Sequence, residues 1–475
     1  MPDSQPNQPA RPVKRRAVAG LILIAAVIIA LTIGAPDPGG PDDGLLHLAG
    51  ATALLRDGNY PIIQRPPLYS AGLALVASVM NLDTTTSQPL AQELGSITSH
   101  DVLSVMLDDT FLRAALLVNL VLWALTVLLV ALTLGALDIP PGGVYLGLAL
   151  LLTPSSWRAV GLISEMPLTA FLLAAGLHAL VIALATRRPV RALVLAGVLF
   201  ALAGIARASF QLLSPVLLLS LLIVLRQRMS RRQVIRPALV FILPYIVIVG
   251  GWSSYNLLTN GVLGVSGTTG VALSTRTATL LDRAAAAFPD EAAIFVRLRD
   301  ETYLAEPNKE DVIYWGARAS NWLMRERGMS YAESNRLLLR YNLAAIRAGP
   351  LTYLDTVLTS LIGFHFPGVD AGWPALTRFV WSAVEFALMG VFVAGVLLWV
   401  AAHLLARLGF YPSSWRPLDT ALALALAIFI YTALVSSAVD IGKPEHRFPV
   451  QFIIPLVIIL AARLSELRPR NGLVR

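Results

Sequence analysis

The sequence predicts an all-α polytopic membrane protein, and three observations carry that prediction. The hydrophobic fraction is 56%, the charged fraction 14% and the mean hydropathy +0.68, outside the range of a soluble globular chain. Apolar runs long enough to cross roughly 30 Å of hydrocarbon recur along the chain. Arginines gather in the short breaks between those runs, as expected of cytoplasmic loops facing anionic lipid. The formal charge of +8 therefore reads as topology, not as a nucleic-acid footprint. Cysteine is absent, which excludes disulfides, Cys-ligated zinc and thiol catalysis.

Residues 1–16 read as a disordered, basic cytoplasmic N-terminus ending in Lys14-Arg15-Arg16. The apolar run 17–35 is longer than a signal h-region, and Ala35-Pro36-Asp37-Pro38 is a poor cleavage site, so a retained helix is expected. Further spans are expected near 112–134, 141–160, 166–186, 190–206, 208–225, 235–254, 378–406, 418–438 and 448–464, about ten helices in all. With the N-terminus inside, the basic breaks at 187–191, 226–236, 407–416 and the tail from Arg463 all fall inside as well. This threading gives an N-terminal transmembrane core (17–254), an external helical domain (255–377) and C-terminal helices with a cytoplasmic tail (378–475). It leaves two external stretches large enough for a site, 36–111 and 255–377. In the second, Ser330-Tyr331-Ala332-Glu333 fits a capping box and Gly349-Pro350 a helix stop, while Leu351 to Phe366 is apolar enough for the membrane interface.

The candidate chemistry gathers at the outer ends of the spans. Asp42 and Asp43 would cap a helix over Gly44–Arg56. One aspartate suffices as a cap, and two adjacent carboxylates repel, so the pair would raise a pKa or hold a divalent cation. Either property suits a general base that takes a proton from an acceptor hydroxyl. His47 lies four residues after Asp43 on the same helical face; residue type favours a solvated interfacial histidine over half of a metal site. Arg65 precedes Pro66-Pro67, whose fixed backbone limits its motion, and suits either a phosphate or a snorkelling anchor. Glu165 begins the fourth helix, Arg207 sits in an outer turn, and Arg447 lies just before the last helix.

Two apparent motifs carry little. Residues 264–270 resemble a phosphate loop but lack the Walker lysine and follow a membrane helix. Asp108-Asp109 reads as an interfacial cap. Every expected internal loop is about a dozen residues or shorter, too small for a nucleotide-binding βαβ unit. An outward-facing site then needs a donor carried by the membrane, such as a lipid-linked phosphate.

In order and topology these segments resemble the GT-C membrane glycosyltransferases, in particular the protein O-mannosyltransferase and aminoarabinose-transferase-like group of glycosyltransferase family 39. Asp42-Asp43 is similar to that group's acidic first external loop, and Asn59-Tyr60-Pro61 with Arg65-Pro66-Pro67-Leu68-Tyr69 to its following aromatic and Lys/Arg-Pro-Pro-Leu-Tyr stretch. Ser164-Glu165, Gly204 to Arg207, Trp252 to Gly261 and Glu445 to Val450 are similar to its later motifs. Ser254 stands where the group has Arg, His446 where it has an aromatic, and an insertion over Asn81–Thr110 sits beside the expected site.

The resemblance implies a GT-C architecture at the plasma membrane. It implies sugar transfer from a polyprenyl-phosphate donor to an extracytoplasmic glycan, lipid or protein, with inversion. Asp42 or Asp43 would be the base and Glu165 would assist. The substrate-binding set it implies is Arg65, Tyr60, Tyr69, Arg207, His446 and Arg447. A lipid or glycan transporter is the rival reading. It would want ionisable groups within the spans, where Glu385 and His178 are the clearest, and internal repeats, of which none is legible.

Overall fold

The computed structural model describes residues 41–62, 64–83, 110–151, 160, 163–186, 189–226, 230–305, 313–365, 375–407, 417–439 and 444–466. The run 17–35, Asp108-Asp109 and most of the insertion 81–110 lie outside the described residues. Among the described residues every regular element is helical.

Among the described residues six helices are long and apolar enough to cross a membrane: Arg113–Ala136, Met166–Ala185, Ala208–Arg226, Arg232–Asn260, Ser382–Ala401 and Leu418–Val439. Pro67–Met80, Pro141–Leu151 and Val190–Ala206 are apolar but shorter. In chain order the elements are α1 (Pro41–Asp57), α2 (Pro67–Met80), α3 (Thr110–Ala136), α4 (Pro141–Leu151), α5 (Met166–Ala185), α6 (Val190–Ala206), α7 (Leu213–Arg226), α8 (Arg231–Tyr245) and α9 (Gly251–Asn260). The order continues with α10 (Thr269–Thr277), α11 (Pro289–Ala305), α12 (Ile313–Arg327), α13 (Tyr331–Ala348), α14 (Pro350–His365), α15 (Ala375–Arg407), α16 (Pro417–Val439) and α17 (Ile453–Glu466).

The main core forms where α5 packs between α3 and α6, with α7, α8, α16 and α17 around them. Burial separates the spans by position. The most apolar stretches of α5 and α16 are each 61% buried within the protein, whereas that of α15 is 17% buried. Phe379, Phe386, Leu397 and Leu398 of α15 face outward. An apolar helix with a bare apolar face is stable in lipid, not in water. The span expected to end at residue 254 runs on to Asn260, because Pro244 interrupts α8 and the chain crosses into α9 through a π-helical turn, Ile246–Gly250, without breaking.

A second, smaller core is built from α10 to α13 around Phe295, Trp315, Leu338 and Tyr341. Trp315 Nε1 donates to the Ser274 carbonyl at 2.8 Å and the Tyr341 hydroxyl to the Leu281 carbonyl at 2.8 Å, so the polar tips of its aromatics are satisfied. The expected capping box is present: Glu333 N–H donates to Ser330 Oγ, and Ser330 N–H to Glu333 Oε2. α13 ends at Gly349 and α14 starts at Pro350, with Leu351, Leu354, Leu358 and Ile362 exposed along one stripe. Tyr353 of α14 donates to the Ala438 carbonyl at 2.7 Å, tying this cluster to α16. Ser330→Ala removes one cap and should cost about 1 kcal/mol, read as a lower unfolding midpoint of the purified protein, with Ser330→Asp retaining most of the stability.

Candidate active site

The site begins in the hairpin between α1 and α2. Gly58 takes φ +64 and ends α1. Pro66 adopts an extended conformation and Pro67 opens α2, where a missing N–H costs nothing. The Tyr60 hydroxyl lies 3.1 and 3.2 Å from the carbonyl oxygens of Arg65 and Pro66 and donates into that pair. Arg65 is thus held by its own backbone. The two helices meet closely: a Cβ on Gly50 would stand 2.6 Å from the Tyr60 ring and 3.0 Å from Ser70 Oγ. Similarly, a Cβ on Gly44 would stand 3.0 Å from the Ile163 carbonyl oxygen. The first turn of α1, which holds Asp42 and Asp43, therefore packs against the segment leading into Glu165. Both aspartates lie in helical backbone, not ahead of the helix as expected; their side chains lie outside the described residues.

Glu165 stands at the N-cap of α5 but does not cap it. Its carboxylate turns sideways instead. His47 Nε2 donates to Oε2 at 2.9 Å and Arg207 Nη1 to Oε1 at 3.0 Å. The carboxylate is 6% exposed and the His47 ring fully buried. The expectation of a solvated His47 is therefore corrected. One face of α1 is covered by α2, and the ring fills that contact with Nδ1 3.3 Å from Ser70 Oγ and the Tyr69 ring edge-on at 5.0 Å. Tyr69 in turn donates to Asn119 Oδ1 of α3 at 2.9 Å. Arg207 reaches Glu165 because α6 ends at Ala206 and residue 207 is extended (φ −143, ψ 122). An arginine inside the helix would point elsewhere.

Electrostatics follow from this geometry. Burial alone would raise the Glu165 carboxyl, but Arg207, then the His47 hydrogen bond, and finally Arg65 outweigh it and hold the group well below the usual carboxylate range. Burial pushes the Tyr331 phenol, at the start of α13, up to about 12, while nearby Arg65 works against that rise. Arg65, in the α1–α2 hairpin, thus lies near the start of α13.

An aromatic shelf borders the hairpin. Trp252 packs near Tyr60, with ring centroids 6.2 Å apart, and against Tyr255 at 5.1 Å. The segment resembling a phosphate loop is occupied by the protein itself. Trp252 Nε1 and Asn256 Nδ2 donate to the Val265 carbonyl, and the Gly270 and Val271 amides donate to Asn335 Oδ1.

Of the residues singled out from sequence, the structure brings together Glu165, Arg207, Arg65, Tyr60 and Tyr69. It does not bring Arg447 into this group. Arg447 is 2% exposed and pairs with Glu385 Oε2 at 3.2 Å, with further bonds to Gln451 Oε1 and the His365 carbonyl. His446 lies in the 3-10 turn Pro444–Val450, its side chain outside the described residues. Sequence reasoning did not pair His47 with Glu165, nor include Ser70, Asn119 or Tyr331. The available signal was His47 itself, a polar residue inside the apolar run Leu45 to Ala49 of a helix. Among the described residues no group of three or more His, Asp or Glu side chains converges to hold a metal.

No protein-family model matches the chain, and no curated protein matches it. Among solved structures it is similar to the archaeal oligosaccharyltransferase AglB from Archaeoglobus fulgidus in complex with an inhibitory peptide and a dolichol-phosphate. That likeness has a TM-score of 0.50 at 14% identity, over 95% of this chain and 50% of the other. The apo form of the Archaeoglobus fulgidus oligosaccharyltransferase gives 0.51 at 15% identity, over 96% and 51%. A weaker likeness, TM-score 0.39 at 13% identity over 95% and 78%, is to ArnT from Cupriavidus metallidurans bound to undecaprenyl phosphate. The chain spans about half the length of the oligosaccharyltransferase structures it matches. At these identities the likeness shows the fold, which is GT-C-like.

The Glu165 network predicts an acid-sensitive stability. The folded pKa lies below the unfolded value of about 4.3, so the stabilisation is fully present above that pH and lost as pH falls towards the lowered value. The gap in unfolding midpoint between the wild type and Glu165→Gln should therefore be widest near about pH 6 and measurably smaller near about pH 3. A gap constant across that range would refute the assignment.

Proposed function

We propose that the chain is a membrane glycosyltransferase that moves a sugar from a polyprenyl-phosphate donor to a glycan, lipid or protein acceptor on the extracytoplasmic face of the plasma membrane. The observation that carries this reading is the buried Glu165 carboxylate held between His47 and Arg207, with Arg65 acting on it, at the packed end of α1. The GT-C-like fold supports it, since the matched oligosaccharyltransferase structure holds a dolichol-phosphate.

In the proposed step an acceptor hydroxyl oxygen attacks the anomeric carbon. The bond from that carbon to the phosphate oxygen breaks, and the polyprenyl phosphate leaves with the electron pair. Attack opposite the leaving group inverts the centre. The acceptor proton passes to a carboxylate, and Glu165 is poorly suited to take it. Both its oxygens already accept hydrogen bonds, and a base works best with a pKa near the working pH. Asp42 or Asp43, one turn before His47, is assigned as the base. Glu165 positions His47 and Arg207. Arg65 and Arg207 are assigned to the leaving phosphate, whose dianion suits guanidinium donors, and Tyr60 with Trp252 forms the apolar wall beside them. At Glu165 itself a divalent cation would have to displace Arg207 and His47.

The test uses proteoliposomes and a panel of radiolabelled hexosyl and pentosyl polyprenyl phosphates. Replacing both aspartates, Asp42→Asn with Asp43→Asn, should lower transfer by on the order of 10²–10⁴ without loss of folded protein. Arg65→Ala should raise KM for the donor, and Arg65→Lys should recover part of it. Full activity in the double aspartate variant would refute the assigned base, and absence of transfer by the wild type from every donor would refute the reading itself.

A further inference from the structure

Helix α13 carries a face that neither helical core uses. Arg336, Arg340, Leu343 and Arg347 recur at helical spacing and are exposed, while Leu337, Leu338, Tyr341 and Ala345 on the other side are buried in the second core. Arg283, also exposed, lies against the end of the helix: a Cβ on Gly349 would stand 2.7 Å from its Nη1. The acids of α13 and α14 are Glu333, which bonds Ser330, and Asp355. Arginines in so long a stretch between spans carry no topology signal, so that signal does not account for them.

This helix sits at the level where the spans end. On one side, a Cβ on Gly261 would stand 3.8 Å from Arg336 Nη2, and Gly261 directly follows the span Arg232–Asn260. On the other, Tyr353 of α14 bonds the carbonyl of Ala438, next to the last residue of the span Leu418–Val439. Both span ends belong to the end of the bundle that holds the candidate site. Val265 N–H donates to Gln211 Oε1 at 3.4 Å and the Tyr431 hydroxyl to the Ser209 carbonyl at 2.7 Å, both in the turn after α6. From Tyr353, α14 runs back along α16, where the Phe364 and Phe429 ring centroids are 5.9 Å apart, inside the span. Leu351, Leu354, Leu358 and Ile362 are therefore exposed at hydrocarbon depth. Arg347 precedes Leu351 by one turn's length of chain and stands at the rim. Leu257 and Leu258 are exposed at the end of the other span, beside Arg336.

We propose that the arginine face of α13 docks anionic phospholipid head groups of the leaflet beside the candidate site. Guanidinium groups at that depth meet lipid phosphates, and the lipid chains cover the leucine stripes below. Each basic side chain near a charged leaflet adds to the attraction, whereas a zwitterionic head group brings a cation of its own and gains less.

The test places the photoreactive residue p-benzoylphenylalanine at Leu343, between Arg340 and Arg347. The full-length protein is held in nanodiscs of equal phosphatidylglycerol and phosphatidylcholine, with no sugar donor, so the outcome is independent of the transfer proposed above. Mass spectrometry of the adducts should show phosphatidylglycerol favoured about tenfold. Arg336→Gln, Arg340→Gln and Arg347→Gln together should bring the ratio close to one. The wild-type arginines provide a second arm that needs no refolded variant. Raising the salt from about 0.1 M to about 1 M shortens the screening length from about 10 Å to about 3 Å and should weaken the preference. The same photoreactive residue at Leu358 should capture lipid of either kind. Equal capture of the two lipids at Leu343 would overturn the proposal, as would a preference that survives the triple replacement or high salt. Absence of any lipid adduct at Leu343 or at Leu358 would also overturn it, the former leaving the face to a soluble acidic partner.

Discussion

A carboxylate stripped of water must be paired, and Glu165 meets that demand with partners from α1 and the end of α6, 118 and 42 residues away. Removing one partner from such a buried set costs on the order of 3–5 kcal/mol, so much of the local backbone is arranged to keep the set intact. Helix α1 comes close enough for His47 to reach because Gly44 and Gly50 remove the side chains that would hold it away. Helix α6 stops at Ala206, which frees Arg207 from helical geometry. Pro66 and Pro67 fix the hairpin that puts Ser70 and Tyr69 against the imidazole.

The same chemistry recurs at Glu385 and Arg447, with one difference. At Glu165 both carboxylate oxygens are engaged by protein donors, and the cluster is complete. At Glu385 one oxygen is engaged and the other is not. Fully satisfied buried networks fix geometry, and partly satisfied ones are costly. The two clusters thus differ in how fully their carboxylates are engaged by protein donors among the described residues. A translocation path would need ionisable groups aligned through the spans; Glu165 and Arg207 flank helix ends, and Glu385 lies within its span but is paired with Arg447.

The spans were legible because burial in lipid writes itself as unbroken apolar length, independent of tertiary contacts. Helices over 166–185, 190–206 and 417–439 match the apolar runs closely. The capping box at Ser330 and the stop at Gly349 were legible for a similar reason: their partners are within four residues. Helices α10, α11 and α12 were not foreseen, since short amphipathic segments in a charged stretch owe their form to packing around Trp315 and Tyr341. In the site, Glu165, Arg207 and Arg65 were recognisable by type and position, but not as one network. Helical geometry predicts contacts three or four residues away and is silent about a partner 118 residues distant. His47 was read as solvated from its residue type, whereas its ring is buried where α2 covers α1.

The second helical core has a part in the site that its distance in sequence conceals. Tyr331 opens α13 and lies within the field of Arg65, while the neighbouring Ser330 and Glu333 lock that helix start in place. On the opposite side of the hairpin, the π-helical turn carries α9 onward, so that Trp252 meets Tyr60 and Tyr255 reaches Asn59. Position 254, where the resembling group carries an arginine, is exposed on α9. Of the cations at this site, Arg65 is held by the hairpin and Arg207 by Glu165.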